Sequence, residues 1–153
     1  MIKSNTLMVS LFVILLLLVG CSNEKDIDSE MQMIMETVMT TQSDQHFYHL
    51  IEAVIANEPT DKLIEDAQTE IKESSTKLDK LVVKTKEAKD VKADYLSSFE
   101  NHQKALNMIT NNNVSAETEE EFKGYITEAS QTQQAAIKKI FNQLNIQVED
   151  KVK

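Results

Sequence analysis

Two histidines, His46 and His49, have the spacing in this chain that best suits metal chemistry. Residues three or four apart on a helix lie on one face, so the two imidazoles and the Glu52 carboxylate would converge. Zinc would need a third and a fourth ligand, for which Glu52 and Asp44 are available. The remaining histidine, His102, is expected far along another helix. We therefore interpret His46 and His49 as surface or boundary histidines and expect no bound metal.

The composition gives little support to other kinds of chemistry. The 153 residues include two Gly and one Cys, too few for a phosphate-binding glycine loop, a disulfide or a cysteine-ligated zinc cluster. The formal charge is -9 and no Arg is present, which disfavours nucleic-acid binding because phosphate neutralisation dominates that affinity. No nucleophile, base and acid form a recognisable set. We expect no enzyme activity, no cofactor and no nucleic-acid partner.

Side chains suited to binding a protein partner are easier to find. A cluster of methionines follows the N-terminal region: Met31, Met33, Met35 and Met39. Met-rich surfaces adapt to different partners, and Met33 falls off the apolar stripe of its neighbours. The last helix carries an apolar stripe, which is assigned to the core: Phe122, Ile126, Ala129, Gln133, Ile137, Ile140, Leu144 and Val148. Tyr125 and Phe141 lie one position off this stripe, where they would line a groove. Met33, Tyr125 and Phe141 are therefore the partner-binding candidates.

The first residues of the chain have the pattern of an export signal. Lys3 supplies a positive start, and the apolar run from Leu7 to Val19 is polar only at Ser10. A charged start followed by about 7–15 apolar residues is typical of a secretory signal peptide. A membrane-spanning helix would need roughly 20 apolar residues, which this run does not reach. We predict that residues 1–20 are a cleaved signal peptide.

The end of this signal, Leu18-Val19-Gly20-Cys21, resembles a bacterial lipobox. The resemblance implies cleavage between Gly20 and Cys21 and a thioether link from Cys21 to diacylglycerol. Two acyl chains, such as palmitate, hold a protein at a membrane far more firmly than one chain does. The resemblance thus implies a lipoprotein of the cell membrane, anchored on its extracytoplasmic face.

A second, shorter resemblance lies at Ser43-Asp44-Gln45-His46-Phe47. This stretch is similar to the Asn-Asp-x-x-Phe motif of a group of uncharacterised staphylococcal-type lipoproteins, with Ser43 in place of the Asn. That group has no assigned activity. The resemblance therefore implies a lipoprotein but supplies no function.

The rest of the chain has the few turn and helix-breaking residues that are typical of an all-helical protein. Beyond the signal peptide the only Gly is Gly124 and the only Pro is Pro59, far fewer than strands and their turns require. One break is predicted at Pro59, with Thr60 as the following cap. A second break is predicted at 111–115, followed by Ser115 or a Thr118-x-x-Glu121 capping box.

These breaks divide the chain into a lipidated Cys and flexible tether at 21–27 and one helical domain at 28–153. The domain contains three segments, at about 28–56, 61–110 and 116–148. If the first two segments fold back at Pro59, the polar stretch at 41–45 lies opposite the polar stretch at 73–76. Short connections make neighbouring helices antiparallel.

The second segment carries an apolar stripe with steps of three and four residues. Its positions are Ile64, Ala67, Ile71, Ser74, Leu78, Leu81, Thr85, Ala88, Lys92, Tyr95, Phe99, His102, Leu106 and Ile109. A 3.5-residue repeat is typical of coiled-coil packing. Since no Gly or Pro interrupts it, we predict an elongated antiparallel three-helix bundle with one long central helix. The alternative is a four-helix bundle, with a break near Thr85–Lys92.

Together these features predict a lipid-anchored helical lipoprotein of the bacterial envelope. Its expected role is a non-catalytic interaction module that contacts another envelope protein or a wall polymer. The alternative is a structural spacer that self-associates as a homo-oligomer through the long apolar stripe.

We predict that Cys21→Ala abolishes membrane attachment, because the substitution removes the sulfur that would carry the lipid. The measurement is partitioning of the full chain between detergent and aqueous phases, with circular dichroism to check that the helices still fold. A Cys21→Ala chain that stays in the detergent phase would contradict the lipid anchor.

Overall fold

The computed structural model describes residues 24–40, 45–56 and 58–146, and five helices account for most of them. They are α1 (residues 24–40), α2 (Gln45–Ile55), α3 (Asp61–Lys80), α4 (Lys86–Thr110) and α5 (Glu119–Gln143). The all-α prediction is confirmed for this part of the chain. None of the five helices is both long enough and apolar enough to cross a membrane. The predicted signal peptide, the lipobox with Cys21, and Ser43 and Asp44 lie outside the described residues.

The helices lie side by side with alternating directions. Lys92 reaches the end of α3, and Gln68 of α3 reaches Thr110 at the far end of α4, so α3 and α4 are antiparallel. Asp94 and Lys139 make an ion pair across α4 and α5, near the start of one helix and the end of the other. The α1 and α2 segment runs parallel to α4. Its Glu30 contacts Thr85 at the start of α4, and its Phe47 stacks on His102 further along.

The predicted long central helix is wrong, because the chain turns back between α3 and α4. Residues 81–85 are not helical, so the predicted segment 61–110 is two antiparallel helices. The alternative correctly divided this segment, but its break, near Thr85–Lys92, begins four residues later than the observed break at 81–85. Neither the three-helix nor the four-helix count matches the five helices described. Folding back lets the single predicted stripe bury both of its halves against each other.

We call residues 81–85 the corner, and two charged side chains from elsewhere form hydrogen bonds with part of its backbone. Glu30 of α1 accepts hydrogen bonds from the backbone N–H groups of Lys84 and Thr85, at 2.8 and 2.9 Å, and from the Thr85 hydroxyl at 2.6 Å. The Lys92 ammonium donates to the carbonyls of Asp79 and Leu81 at 2.6 and 2.9 Å. A carboxylate at the start of α4 and an ammonium at the end of α3 also complement the two helix dipoles.

The Glu30 carboxylate is buried yet remains charged more readily than an ordinary glutamate. Its burial alone raises its pKa, but the hydrogen bonds from the side chain and backbone of Thr85 and from the backbone of Lys84 outweigh this effect. The pKa of Glu30 therefore lies below its ordinary value of 4.5. These hydrogen bonds favour the charged carboxylate and form only in the folded chain. They therefore stabilise the folded chain when Glu30 is ionised.

The other helix ends test the predicted caps. The predicted cap at Thr60 is confirmed, since its hydroxyl accepts from the Leu63 N–H at 3.3 Å. The predicted capping box at Thr118 is wrong. Its hydroxyl makes no hydrogen bond to the first turn of α5, and instead accepts from the Ser115 N–H at 3.0 Å. Asn112 takes the left-handed φ of 53° that the run of asparagines predicted at the end of α4.

Two predicted boundaries also change. Residues 24–27, expected in the flexible tether, are helical, and Ile27 packs against the core. The last helix was expected from about residue 116 to residue 148, but α5 spans Glu119–Gln143. Asn145 ends it with a left-handed φ of 52°, and the Ile146 N–H donates back to the Phe141 carbonyl at 2.9 Å.

The predicted apolar stripe is largely confirmed as the core. The fully or nearly fully buried members on α3 and α4 include Ala67, Ile71, Leu78, Ala88, Tyr95, Phe99, Leu106 and Ile109. The predicted fold-back at Pro59 is confirmed, because the Glu70 carboxylate of α3 contacts the backbone of Phe47 on α2. Residues 41–44 of the polar stretch expected opposite 73–76 lie outside the described residues. The stripe continues unbroken across the corner, which is why it resembles that of one helix.

We predict that Glu30→Gln lowers the free energy of unfolding by about 2 kcal/mol, because charged hydrogen bonds to the start of α4 are weakened. The difference from the wild type should be complete above a pH of about 4.5 and disappear as the pH falls through the lower folded-state pKa. Urea unfolding at several pH values measures both effects.

The matched control is Glu36→Gln, an exposed glutamate on the same helix. Equal losses for the two variants, or a loss for Glu30→Gln that does not shrink in acid, would show that Glu30 has no special role at the corner.

Candidate functional site

An apolar groove of about 490 Å³ lies between α1, α4 and α5. Its lining residues are Met35, Val38 and Met39 from α1, Tyr95 from α4, and Gln133, Ile137, Ile140 and Phe141 from α5. Tyr95 and Ile140 are buried and form its floor, while the other residues form its walls. Among the residues that the structure describes, no charged side chain lines it. The groove therefore suits an apolar ligand better than a charged one.

The groove exists because α1 is buried unevenly along its length. Met31 and Ile34, in the middle of α1, are buried, whereas Met35 and Val38, a turn later, are partly exposed. Met39, on the same stripe, is 70% exposed. The stripe of α1 is thus covered at the corner and becomes progressively uncovered toward residue 40.

Of the three predicted partner-binding residues, Phe141 alone lies in this groove. Met33 is 37% exposed but does not line the groove. Tyr125 lies elsewhere on α5, where its hydroxyl donates to the Glu121 carboxylate at 2.9 Å and the Lys104 ammonium lies 5.5 Å from the ring centre. The hydrogen bond to Glu121, together with the charge of that carboxylate, raises the pKa of the Tyr125 hydroxyl above 10.0.

His46 lies beside Glu70 at the start of α2. Its Nδ1 is 3.4 Å from one Glu70 carboxylate oxygen. The other oxygen accepts from the backbone N–H groups of His46 and Phe47, at 2.9 and 3.3 Å. A buried glutamate from α3 thus caps α2, while Glu30 binds the two residues that precede α4, of which Thr85 is the N-cap. His49 is exposed and has no place in this arrangement.

His102 was expected to lie far from His46 and His49, but it lies beside α2. The corner turns α4 back so that His102 packs next to that helix. The buried His102 ring lies 4.3 Å from the Phe47 ring and 6.0 Å from the Tyr48 ring, measured between centroids. These contacts are those of a core histidine. Within the described ranges, no group of three or more His, Cys, Asp or Glu side chains is arranged to hold a metal ion.

Sequence reasoning missed Glu30 and Glu70, the two buried carboxylates that cap helices. Each lies more than 20 positions from the amides it binds, so no local spacing marks it. It also assigned Tyr95, Ile137 and Ile140 to the core, without indicating that their outer edges border a groove. Comparison with protein-family models, with curated proteins and with solved structures gives no match.

We predict that Ile140→Ala lowers the free energy of unfolding by about 3 kcal/mol, because it leaves a cavity beneath the groove. Phe141→Ala should cost clearly less, since that ring already lies partly in solvent. Urea unfolding followed by circular dichroism compares the two variants. If Phe141→Ala is as destabilising as Ile140→Ala, then Phe141 is a core residue and not an element of a binding wall.

Proposed function

We propose that this protein is a lipid-anchored lipoprotein of the bacterial envelope whose helical domain binds another envelope protein without catalysis. The lipobox resemblance at Cys21 supports the anchor. The single observation that supports the binding role is the uncharged groove between α1, α4 and α5, with Met39 70% exposed at its edge.

The lining of this groove favours a protein over a wall polymer as the partner. Apolar walls of Met35, Ile137 and Phe141 would bury aliphatic or aromatic side chains from a partner helix or loop. A polar or anionic polymer would find no cation in the lining, and the chain as a whole carries a charge of -9. The flexible thioethers of Met35 and Met39 would adapt to the shape of the partner.

The groove also stands at a suitable distance from the proposed anchor. Met35 and Met39 follow residue 24 by 11 and 15 positions along α1. At 1.5 Å per residue, these positions lie roughly 16 and 22 Å from the start of the described helix. A partner embedded in the same membrane would reach the groove with its first few extramembrane turns.

The alternative function, a spacer that self-associates through the long apolar stripe, has less support. The stripe on which it relied is buried within one chain, with Leu78, Phe99 and Leu106 at its centre. A second copy would have to use a different surface. We therefore favour the heterologous interaction module.

The test is in-cell photocrosslinking from a photoreactive residue that replaces Met39, at the edge of the groove. The matched control replaces Ile55, which is equally exposed, at 76% compared with 70%, but lies at the end of α2. We expect one dominant heterologous adduct from position 39 and none from position 55, identified by mass spectrometry.

Adducts only between copies of this chain would favour the spacer. An absence of any adduct specific to position 39 would contradict binding at the groove. The Cys21→Ala chain, examined in the same way, separates loss of the anchor from loss of the groove.

A further inference from the structure

Three parts of the chain meet at one end of the molecule. Glu30 binds the corner through Lys84 and Thr85, and Asp28 accepts a hydrogen bond of 2.8 Å from Gln143 at the end of α5. The start of α1, the corner and the end of α5 therefore lie together. We call this the corner end. It is also the end at which the first described residue of α1, residue 24, begins the helix, three positions after Cys21 in the sequence.

The corner differs in charge from the connections at the opposite end. Residues 80–86 read Lys-Leu-Val-Val-Lys-Thr-Lys, with lysines at 80, 84 and 86 and no acid. The connection at 56–61 and the connection at 111–118 carry Glu58, Asp61 and Glu117 and no lysine. The connections are thus basic at one end of the molecule and acidic at the other.

An exposed aliphatic side chain projects from the middle of this basic stretch. Val82 is 75% exposed, although its neighbour Val83 is buried. Lys80 and Lys84, two residues away on either side, are exposed as well. Ile146, just beyond the end of α5, adds a second partly exposed aliphatic side chain. An apolar tip between cations fits the boundary between lipid headgroups and acyl chains.

We propose that the corner is a membrane-contact surface: Val82 inserts into an anionic bilayer while Lys80, Lys84 and Lys86 contact the lipid phosphates. This inference rests on the proposed lipid anchor, which would bring the corner end to the bilayer. Lysines near an anionic membrane surface are attracted to it, and the attraction weakens as salt is added.

The hydrogen bonds of the corner suit it to this surface. Entry into a membrane interface is unfavourable for backbone groups that leave water without a new partner. The N–H groups of Lys84 and Thr85 already donate to Glu30, and the Leu81 carbonyl already accepts from Lys92. When Val82 enters the interface, these three backbone groups on either side of it already have hydrogen-bond partners inside the protein.

Acidic side chains at the same end limit the strength of this contact. Asp79 and Glu87 are exposed and flank the stretch 80–86 directly. Glu24 and Asp26 are exposed at the start of α1, with Lys25 between them. The corner alone would bind a bilayer weakly. The anchor overcomes this weakness by holding the corner at a high effective concentration next to the lipid. The contact then orients the domain, with the acidic connections pointing away from the membrane.

The test exploits the absence of Trp from the chain. The full lipoprotein carrying Val82→Trp is reconstituted into vesicles whose lipids have brominated acyl chains, which quench tryptophan on contact. The control is Ile55→Trp. Ile55 is almost equally exposed, 76% compared with 75%, but it lies at the end of α2, next to the acidic connection at 56–61. We expect severalfold stronger quenching at position 82 in anionic vesicles than at position 55, and weaker quenching at position 82 in zwitterionic vesicles.

Replacing Lys80, Lys84 and Lys86 by Gln should remove the difference between anionic and zwitterionic vesicles. Circular dichroism verifies that each variant is folded. Vesicle flotation distinguishes the two possible failures. A chain that does not float with the vesicles overturns the anchor and this surface with it. A chain that floats but shows equal quenching at positions 82 and 55 overturns the membrane-contact surface alone.

Discussion

The fold of this protein depends on how the chain reverses direction at 81–85 without a Gly or a Pro. Ending α3 and starting α4 leaves backbone carbonyls and amides without partners inside their own helices. Glu30 and Lys92 supply those partners from outside the corner. Because Glu30 belongs to α1, the interaction that closes the corner also fixes the first helix against α4. The groove beside α1 and the contact between Phe47 and His102 both depend on that reversal.

The same solution occurs a second time at the start of α2. Glu70 of α3 accepts from the amides of His46 and Phe47, and it too is buried. In both cases a carboxylate from one helix satisfies the start of another. Unlike a local Ser or Thr cap, such an interaction joins two elements that are distant in sequence. It also determines which helices become neighbours.

What could be predicted from the sequence is what local periodicity encodes. The stripe through Ala67, Phe99 and Leu106 identified the core, and Thr60 identified the start of α3. The favoured prediction placed no break at the corner, and the alternative placed it later in the chain, because Leu81 and Thr85 continue the stripe in steps of three and four. The residues that stabilise the break act from α1 and from further along α4. Local pattern could not reveal a partner that lies 54 positions away.

The candidate site was predictable in part for the same reason. Phe141 was recognised because it falls beside a stripe, whereas Tyr95 and Ile140 fall on stripes and were assigned to the core. Whether a stripe residue is covered depends on how far the neighbouring helix extends over it. The gradual exposure of α1 from Met31 to Met39 is a property of packing, and periodicity is identical at both ends of the gradient. Tyr125 lies outside the groove, and its hydrogen bond to Glu121 was not predicted because Glu121 had been assigned to a capping box.

The way α1 enters the bundle has a mechanical consequence. A pull on the N-terminus, from a membrane to which it is attached, would act along the axis of α1, starting at the end held by Glu30. Contacts along α4 and α5 would then be loaded together in shear and would not be peeled apart one after another. A protein held in the groove would pull on Met35 and Met39 of the same helix. In that geometry α1 would carry the force between an attached membrane and a bound protein, and the other helices would hold α1 in place.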